Sequence, residues 1–308
     1  MIEVQNLTKK FKERTVLNGV SFKVMEGEIF GYLGPNGAGK TTTMRLLLGL
    51  LKSTDGKALV MGQNLGDTKH LRKNIGVLLE YDGLYERISA YDNLNYYAQL
   101  YGVSGREKKI ARLMELIELS DRKNDKVGEF SKGMKRKLAL ARTIIHEPRI
   151  LFLDEPSAGL DPESQKMVRE LILRLSKEEK ITVVLNSHDL DEVQRICSRI
   201  AILNKGEIRA NDTVDNLRGK FNLPVVEISL SDNKELNEAL NLLSSLSYVS
   251  DCQQHNNGIV ITLTETNKAS TVLSYLVGQG LKIEESKRVT RSLEDVYLEI
   301  VRQEESNE

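Results

Sequence analysis

Apolar residues follow strand spacing in three early segments of the chain and helix spacing in a fourth. Residues 2–7 and 19–24 have the pattern of strands, and residues 28–33 form a short apolar run. In residues 42–51 the apolar side chains fall on one stripe of a helix. The pattern therefore predicts a strand that enters a glycine-rich segment and a helix that leaves it.

Two later apolar runs predict further strands. Residues 150–153 are continuously apolar, as in strands of parallel sheets that are covered on both faces, and residues 181–185 form another apolar strand. A helix is predicted to begin after Ser131, because serine is a good N-cap. The apolar residues after it recur at helical spacing: Met134, Leu138, Ala141 and Ile145.

A different pattern begins after a predicted hairpin turn at residues 204–206. Strand-like and helix-like segments alternate there, at residues 225–230, 234–246, 259–263, 269–281 and 293–301. We therefore expect one domain over residues 1–215 and a C-terminal accessory α+β domain over residues 216–308. The segment around His255 is predicted to be a polar loop, and metal binding is not expected there.

The composition is that of an ordinary globular protein, with 29% charged and 40% apolar residues. Its 44 basic and 44 acidic side chains cancel, so no overall charge attracts nucleic acid or an anionic membrane. No apolar run approaches the roughly 20 residues of a membrane helix, and the N-terminus lacks the pattern of a secretion signal. Cys197 and Cys252 are far apart in sequence, which fits free thiols in a reducing cytosol.

The segment GPNGAGKTTT, residues 34–43, matches the phosphate-loop pattern GxxxxGK[ST]. Its glycines allow successive main-chain N–H groups to converge on phosphate, and the following helix adds its positive end. Lys40 would reach the β- and γ-phosphates, while the hydroxyl of Thr41 would bind Mg²⁺. The alternative interpretation is a glycine-rich turn with a surface lysine.

Two carboxylates, Asp154 and Glu155, follow the apolar run 150–153. Acids at the C-terminal edge of such a strand point into the crevice where open α/β sheets bind ligands. Asp154 would hold Mg²⁺, and Glu155 would accept a proton from the attacking water. Taken alone the pair also fits a surface turn, but the phosphate loop favours the catalytic interpretation.

A second anion-binding element is predicted in FSKGMKRKL, because a serine and a glycine at a helix start expose N–H donors. Taken alone, its basic residues would be a solvated helix face: Lys132, Lys135, Arg136 and Lys137. One nucleotide cannot occupy two separated helix ends of a single chain. Taken by itself, the segment is therefore either a solvated helix face or a second anion-binding site.

Five motifs in this order resemble the nucleotide-binding subunit of an ATP-binding-cassette (ABC) transporter: GPNGAGKTT, FSKGMKRKL, ILFLDEP, SAGLD and NSHD. The resemblance covers about residues 1–215. The MK-type signature and the tail SLEDVYLEI, residues 292–300, are similar to those of bacterial subunits that serve drug, lipid, polysaccharide or sodium exporters. The resemblance implies an α/β P-loop NTPase cassette with a mixed sheet core, an antiparallel β subdomain and an α-helical signature subdomain, plus the C-terminal α+β domain.

The resemblance also implies roles for single residues. In this family two subunits meet head to tail, so Ser131 and Gly133 of one would close over ATP held by the other. Asp161, in SAGLD, would lie at the dimer seam and couple the two sites. His188, in NSHD, would contact the γ-phosphate and orient the water, and Phe11 would lie against adenine, although a bare phenylalanine otherwise favours the core. The remaining expected nucleotide contacts come from the loop: Gly34, Asn36, Gly37, Ala38, Gly39, Lys40, Thr41 and Thr42.

Two positions depart from the common family pattern. Glu80 stands where many members have glutamine, and its carboxylate would still bind Mg²⁺ or the catalytic water. Lys132 replaces a glycine of the commoner signature, but only Ser131 and Gly133 need contact phosphate. We therefore expect function to persist.

The resemblance implies partners as well. Tyr96, Tyr97 and Tyr101 belong to a helical region that in this family cradles a short helix of the membrane partner, although helix packing explains each tyrosine equally well. We expect a second nucleotide-binding subunit, in a homodimer, bound to a permease at the cytoplasmic face of the membrane and using ATP and Mg²⁺ but no nucleic acid. ATP hydrolysis would drive transport, in the export direction.

Two other functional classes remain open. A soluble cassette ATPase that acts on ribosomes or nucleic acid is the first, but such proteins usually carry two cassettes or long insertions. A sensor that binds ATP without hydrolysing it is the second. Lys40, Asp154, Glu155 and His188 together favour hydrolysis over that alternative.

Overall fold

The computed structural model describes residues 1–64, 71, 73–79, 81–220, 225–232, 235–255, 258–265, 267–289 and 293–305. The chain divides into two compact units, Met1–Val214 and Asp215–Glu308. Among the described residues, no helix combines the length and the apolar character needed to cross a bilayer.

The described part of the first unit contains two sheets. The strands of the smaller sheet are β1 (Ile2–Phe11), β2 (Arg14–Val24), β4 (Asp55–Val60) and β5 (Gln63–Asn64), antiparallel in the order β2-β1-β4-β5. The strands of the larger sheet are β3 (Ile29–Leu33), β6 (Ile75–Leu78), β7 (Ile150–Asp154), β8 (Thr182–Asn186), β9 (Arg199–Asn204) and β10 (Glu207–Thr213). Its order is β10-β9-β3-β8-β7-β6, in which the edge strand β10 is antiparallel to its neighbour and the other pairs are parallel. The predicted mixed sheet and antiparallel sheet are therefore confirmed.

The helices described in this unit lie between its strands in the chain or follow them. They are α1 (Lys40–Leu47), α2 (Ala90–Leu100), α3 (Arg106–Leu116), α4 (Lys132–Ile144), α5 (Pro162–Glu179) and α6 (Leu190–Ile196), and α7 (Val214–Lys220) begins at its last residue. Helices α2, α3 and α4 contact one another, and α4 also contacts β6. These contacts define the predicted helical subdomain and join it to the sheet.

One buried cluster joins the two sheets and α1. It combines Leu7, Leu17 and Phe22 of the smaller sheet with Phe30, Tyr32 and Phe152 of the larger one, and with Met44, Leu46 and Leu47 of α1. The rings of Phe22 and Phe30 stack with centroids 5.5 Å apart. The helix that follows the glycine-rich loop is therefore anchored in the core.

Helix α1 is shorter than the apolar stripe predicted. It ends at Leu47 instead of residue 51, because Gly49 adopts a left-handed conformation with φ +66°. The N–H of Leu50 donates to the carbonyl oxygen of Arg45 and that of Gly49 to Leu46, at 2.8 and 2.9 Å. These two bonds form a Schellman motif, which terminates the helix although apolar residues continue.

The second unit is an α+β domain. Its strands are β11 (Val225–Leu230), β12 (Val249–His255), β13 (Gly258–Leu263) and β14 (Ile283–Val289), antiparallel in the order β12-β13-β11-β14. Its helices α8 (Leu236–Ser244) and α9 (Ala269–Gly278) give the order β-α-β-β-α-β of ferredoxin-like folds, and α10 (Leu293–Glu305) follows. Ile228, Ile261, Ala239, Val272 and Leu276 belong to one buried core that both helices share with the sheet.

One expectation for this unit was wrong, and one strand was not predicted. The predicted polar loop around His255 is the end of the edge strand β12, and the strand missed by the sequence analysis is β14. Both strands lie at the edges of the sheet and carry mostly exposed polar residues, so they lack an apolar pattern. Helix α9 ends at Gly278, earlier than the predicted residue 281, while the predicted start of α8 at residue 234 lies outside the described residues.

Candidate active site

Four parallel strands end at one edge of the larger sheet. Strands β3, β8, β7 and β6 are neighbours in that order and run in the same direction. The segments that follow them contain the glycine-rich loop, His188, Glu155 and Glu80, respectively. Glu80 itself lies outside the described residues. The other three predicted elements are brought together, because the carboxyl ends of parallel strands share one edge of a sheet.

The glycine-rich loop packs closely against neighbouring main chain. A Cβ atom on Gly34 would lie 2.2 Å from the carbonyl oxygen of Leu203. A Cβ atom on Gly39, where φ is +113°, would lie 2.6 Å from the side chain of Leu17. The N–H of Gly206, in the β9–β10 turn, donates to the carbonyl oxygen of Ala38 at 3.1 Å. Glycine at positions 34 and 39 is therefore required by close approach as well as by backbone conformation.

Lys40 begins helix α1 inside this loop. Its Nζ atom donates to the carbonyl oxygens of Gly34 and Pro35, at 2.6 and 3.2 Å, and its side chain is buried. Burial lowers the pKa of Lys40, while the charges of Glu155 and Asp154 act in the opposite direction. The ammonium group is thus held where both carboxylates of the site influence it.

The other loop residues differ in exposure. Asn36, Gly37 and Thr41 are exposed and Thr42 is half-buried, whereas Ala38 is buried. Thr41, the second residue of α1, is therefore accessible to a ligand. Thr43, which the sequence did not single out, is buried and bonded to the carbonyl oxygen of Gly39 at 3.1 Å.

Asp154 is the last residue of strand β7 and Glu155 follows it, and both contact the end of the neighbouring strand β8. The side-chain amide of Asn186, at the end of β8, donates to Oδ1 of Asp154. The main-chain N–H of Glu155 donates to the carbonyl oxygen of Asn186 at 2.8 Å. Glu155 has φ +51°, which is uncommon for a residue with a side chain and occurs often at functional sites.

The carboxylate of Glu155 contacts His188. Oε1 of Glu155 lies 2.8 Å from Nδ1 of His188, and the imidazole is 71% exposed. Glu155 itself is only partly exposed. The pair therefore combines a held carboxylate with a ring that solvent or a ligand can reach.

Behind this pair lies a buried carboxylate that the sequence reasoning missed. Glu192, in the first turn of α6, is 1% exposed and accepts hydrogen bonds from the hydroxyls of Ser157 and Ser187. Burial raises the pKa of Glu192, while the two serine bonds act to lower it. The sequence offered no signal beyond an acidic residue after the N-cap Asp189, which is common in helices.

Arg136 corrects the interpretation of the basic run as a solvated face. Its buried guanidinium donates to the carbonyl oxygens of Glu155, Pro156 and Leu79, at 2.6, 2.7 and 3.1 Å. It also pairs with Asp82 at 2.8 Å. Arg136 thus ties α4 to the end of β7 and to the segment after β6. The flanking lysines are paired too, Lys135 with Glu86 and Lys137 with Glu118.

The signature turn and the SAGLD segment meet through Ser164. Ser131 caps α4 by accepting from the N–H of Met134 at 3.2 Å, and Asp161 caps α5 by accepting from the N–H of Ser164 at 2.9 Å. That N–H bond, followed by the bond from the Ser164 hydroxyl, lowers the pKa of Asp161. A Cβ atom on Gly133 would lie 2.3 Å from Oγ of Ser164. The geometry therefore links two segments that the family resemblance assigns to one interface.

The predicted aromatic contacts differ in what surrounds them. Phe11 ends β1, is 45% exposed, and has Nζ of Lys9 4.8 Å from its ring centre. Tyr97 donates to the carbonyl oxygen of Gly83 at 2.7 Å, and Tyr101 stacks on His146 with ring centres 3.9 Å apart. Phe11 is therefore accessible to a ligand, whereas Tyr97 and Tyr101 also serve helix packing.

A phosphate-loop sheet edge with paired carboxylates and a histidine, combined with a capped signature helix, defines an ATP-binding cassette. Comparison with known proteins agrees. Residues 17–158 match the family described as ABC transporter, and residues 213–301 match the C-terminal domain of DrrA1-3-like ATP-binding proteins. The chain belongs to the ATP-binding proteins of ABC transporters, and it is an ATPase.

Similar proteins cover nearly the whole chain. It is 38% identical over 304 residues to the uncharacterized ABC transporter ATP-binding protein YhcH of Bacillus subtilis (strain 168). The matched region covers 97% of this chain and 95% of YhcH. It is 33% identical over 302 residues to the bacitracin transport ATP-binding protein BcrA of Bacillus licheniformis, covering 98% and 97%. A dimeric ATP-binding cassette in a post-hydrolysis state with ADP and phosphate is similar in structure, with a TM-score of 0.62 and 26% identity, over 69% of this chain and 98% of that chain.

Proposed function

We propose that this chain is the ATP-hydrolysing subunit of an ABC exporter and drives a separate membrane permease through ATP-dependent, head-to-tail dimerisation. The observation that carries this proposal is the convergence at one sheet edge of Lys40, Glu155 and His188. A bacitracin transport ATP-binding protein that matches almost the full length supports a role in transport. A Nod factor export ATP-binding protein of Rhizobium sp. (strain N33), 40% identical over 208 residues, supports the export direction. Residues 213–301 match the C-terminal domain of DrrA1-3-like ATP-binding proteins, which supports an ATP-binding subunit over the whole chain.

Each residue at the sheet edge has a distinct chemical task in this proposal. The loop N–H groups and Lys40 bind the β- and γ-phosphates of ATP. Glu155 accepts a proton from the attacking water, and His188, 2.8 Å from Glu155, orients that water against the γ-phosphate. Phe11 lies exposed at the end of β1 and stacks on the adenine ring.

The donor set fits Mg²⁺. Thr41 offers an exposed hydroxyl and Asp154 a carboxylate, both hard oxygen ligands, and Oδ1 of the neighbouring Asn186 is buried with no hydrogen-bond partner among the described residues. Thr41 and Asp154 would hold the ion, with Glu80 as a further oxygen donor outside the described residues. The ion would neutralise charge on the phosphates.

The second half of the pocket comes from another copy of the chain. Ser131 and Gly133 present the start of α4 to the nucleotide of the opposite subunit, where the helix end attracts the γ-phosphate. Asp161, joined to Gly133 through Ser164, lies at the same interface and couples the two sites. The dimer that a structural neighbour forms supports this arrangement.

The permease places the chain at the cytoplasmic face of the membrane, where nucleotide-driven closure of the dimer moves the membrane partner. We assign the cassette to residues 1–215 and the accessory domain to residues 216–308. Gentle extraction of membranes that contain the tagged chain should recover an integral membrane protein with it. Recovery of ribosomes or nucleic acid in its place would support the alternative cassette ATPase and contradict the exporter.

The Glu155→Gln variant tests the hydrolytic site. It retains the shape of the side chain but removes the base, so we expect ATP binding and dimer formation with turnover reduced by roughly a hundredfold or more. Turnover is measured by phosphate release and dimer formation by light scattering with ATP and Mg²⁺. Normal turnover would remove Glu155 from the mechanism, and a strictly monomeric variant, with or without permease, would contradict the shared pocket.

A further inference from the structure

We propose that Glu192 is a positioning residue for ATP hydrolysis, which holds the Glu155 and His188 segments at their working separation by binding one serine from each. The proposal rests on the proposed function, since Glu155 and His188 are its catalytic pair. Glu192 touches neither residue directly. It acts through Ser157 and Ser187.

The contacts form a closed ring behind the sheet edge. Ser157 lies two residues after Glu155 and donates to Oε1 of Glu192, while Ser187 directly precedes His188 and donates to Oε2 at 2.9 Å. The ring closes where Glu155 meets His188 at 2.8 Å. A change in any of these bonds therefore changes the distance between the catalytic carboxylate and the imidazole.

The chemistry requires a carboxylate at this position. Each serine donates its single hydroxyl proton, so the centre of the ring must offer two acceptor oxygens on one side chain. Ser187 also accepts the N–H of Asp189 at 3.1 Å, which orients its hydroxyl toward Glu192. Glutamine supplies only one acceptor, and alanine supplies none.

The burial of Glu192 makes a purely structural role a poor explanation. Serine–serine or apolar contacts would fill the same space without the desolvation cost of a carboxylate that is 1% exposed. Both partners of Glu192 lie next to residues of the candidate site, although they come from different strand ends. The buried carboxylate thus joins two loops that are covalently remote from each other.

The experiment measures steady-state ATP hydrolysis by Glu192→Gln and Glu192→Ala in the full-length chain. We expect kcat to fall about tenfold, because small displacements of catalytic groups are costly. KM for ATP should stay within about twofold, because the loop and Lys40 are untouched. Thermal unfolding of each variant shows that it is folded at the assay temperature.

Glu28→Gln is the matched control. Glu28 is also buried, and its carboxylate accepts a hydrogen bond from the N–H of Met25 at 2.6 Å. It directly precedes β3, so it lies at the opposite end of that strand from the glycine-rich loop. Its replacement should leave kcat unchanged. An equal fall in kcat for Glu28→Gln and Glu192→Gln would overturn the proposal, and so would a normal kcat in both Glu192 variants.

Removal of the serines gives a second test that does not depend on the Glu192 variants alone. Ser157→Ala and Ser187→Ala should each lower kcat, and each should add little when combined with Glu192→Gln, because one ring is broken in every case. Fully additive losses would overturn the proposal. A failed proposed function is distinguishable, since Glu155→Gln would then turn over ATP normally.

Discussion

Arg136 connects three segments of the cassette, and its replacement by alanine removes all of those connections together. The guanidinium is 6% exposed and bonds to three main-chain carbonyl oxygens and to Asp82. Two of the carbonyls belong to Glu155 and Pro156, which follow β7 at the candidate site, and one belongs to Leu79, after β6. Because the acceptors follow different strands, loss of this one side chain releases both strand ends from the signature helix.

The magnitude follows from burial and charge. Removing one member of a buried ion pair costs about 3–5 kcal/mol. Asp82 is 26% exposed and regains some water, so we take the lower end, about 3 kcal/mol for Arg136→Ala. At roughly 2–4 °C per kcal/mol for a domain of this size, the unfolding temperature should fall by about 6–12 °C. Arg136→Lys keeps the charge but lacks the planar fork, so it should lose about half as much.

The assay combines thermal unfolding with ATP hydrolysis at a temperature where each variant is folded. We expect Arg136→Lys to lose activity as well as stability, because the lysine cannot bind both the Glu155 carbonyl and the segment after β6. Arg174→Ala is the control, since Arg174 forms an exposed helical pair with Glu178 and should cost less than about 1 kcal/mol. If Arg136→Ala lowers the unfolding temperature no more than Arg174→Ala does, Arg136 does not hold the two strand ends together.

The remaining predictions concern the glycine-rich loop, Phe11 and the buried carboxylate of Glu192. Gly34→Ala should abolish ATP binding, because the added Cβ would lie 2.2 Å from the carbonyl oxygen of Leu203. Binding is measured by the fluorescence of a labelled nucleotide. The control is Gly278→Ala, whose Cβ meets no atom within 4 Å and which should leave ATP binding intact. Phe11→Ala should weaken ATP binding by about 2- to 10-fold through lost stacking with little change in unfolding temperature, and Met25→Ala, which is also exposed, should change neither. Burial raises the pKa of Glu192, so between its unfolded-state and folded-state pKa values the native state binds more protons than the unfolded state. The contribution of Glu192 to wild-type stability therefore falls as pH rises through this window, and above it the carboxylate is ionised in both states. Glu192→Gln lacks this titration, so the difference between its unfolding free energy and that of the wild type should increase with pH across the same window. A difference that does not change with pH would contradict the raised pKa of Glu192.

Local sequence determined the motifs and most elements around them. The glycine-rich segment, the apolar strand before Asp154 and the Ser131 cap depend on spacing and on residue type within a few positions, so they are readable without a fold. Element ends were less accurate. The apolar stripe of α1 runs on past Leu47, but the left-handed Gly49 ends the helix there.

Strands at sheet edges escaped sequence reasoning for a different reason. Residues 249–255 are mostly polar and lie at the edge of the described sheet, so nothing in their composition distinguishes them from a loop. Pairing with β13 is what makes them a strand. The same holds for β14, in which residues 284–288 are exposed and mostly charged.

The chemistry of this chain can be read from its amino-acid order, because each phosphate, carboxylate and histidine motif is a short run of adjacent residues. The groups that support this chemistry became visible only in the folded chain. Arg136 donates to atoms of residues that lie 19 to 57 positions away in the sequence. Glu192 accepts from residues that lie 5 and 35 positions away. The sequence neighbours of both are ordinary helix residues. Such roles arise when parallel strands place distant loops at one edge of a sheet, which no local pattern encodes.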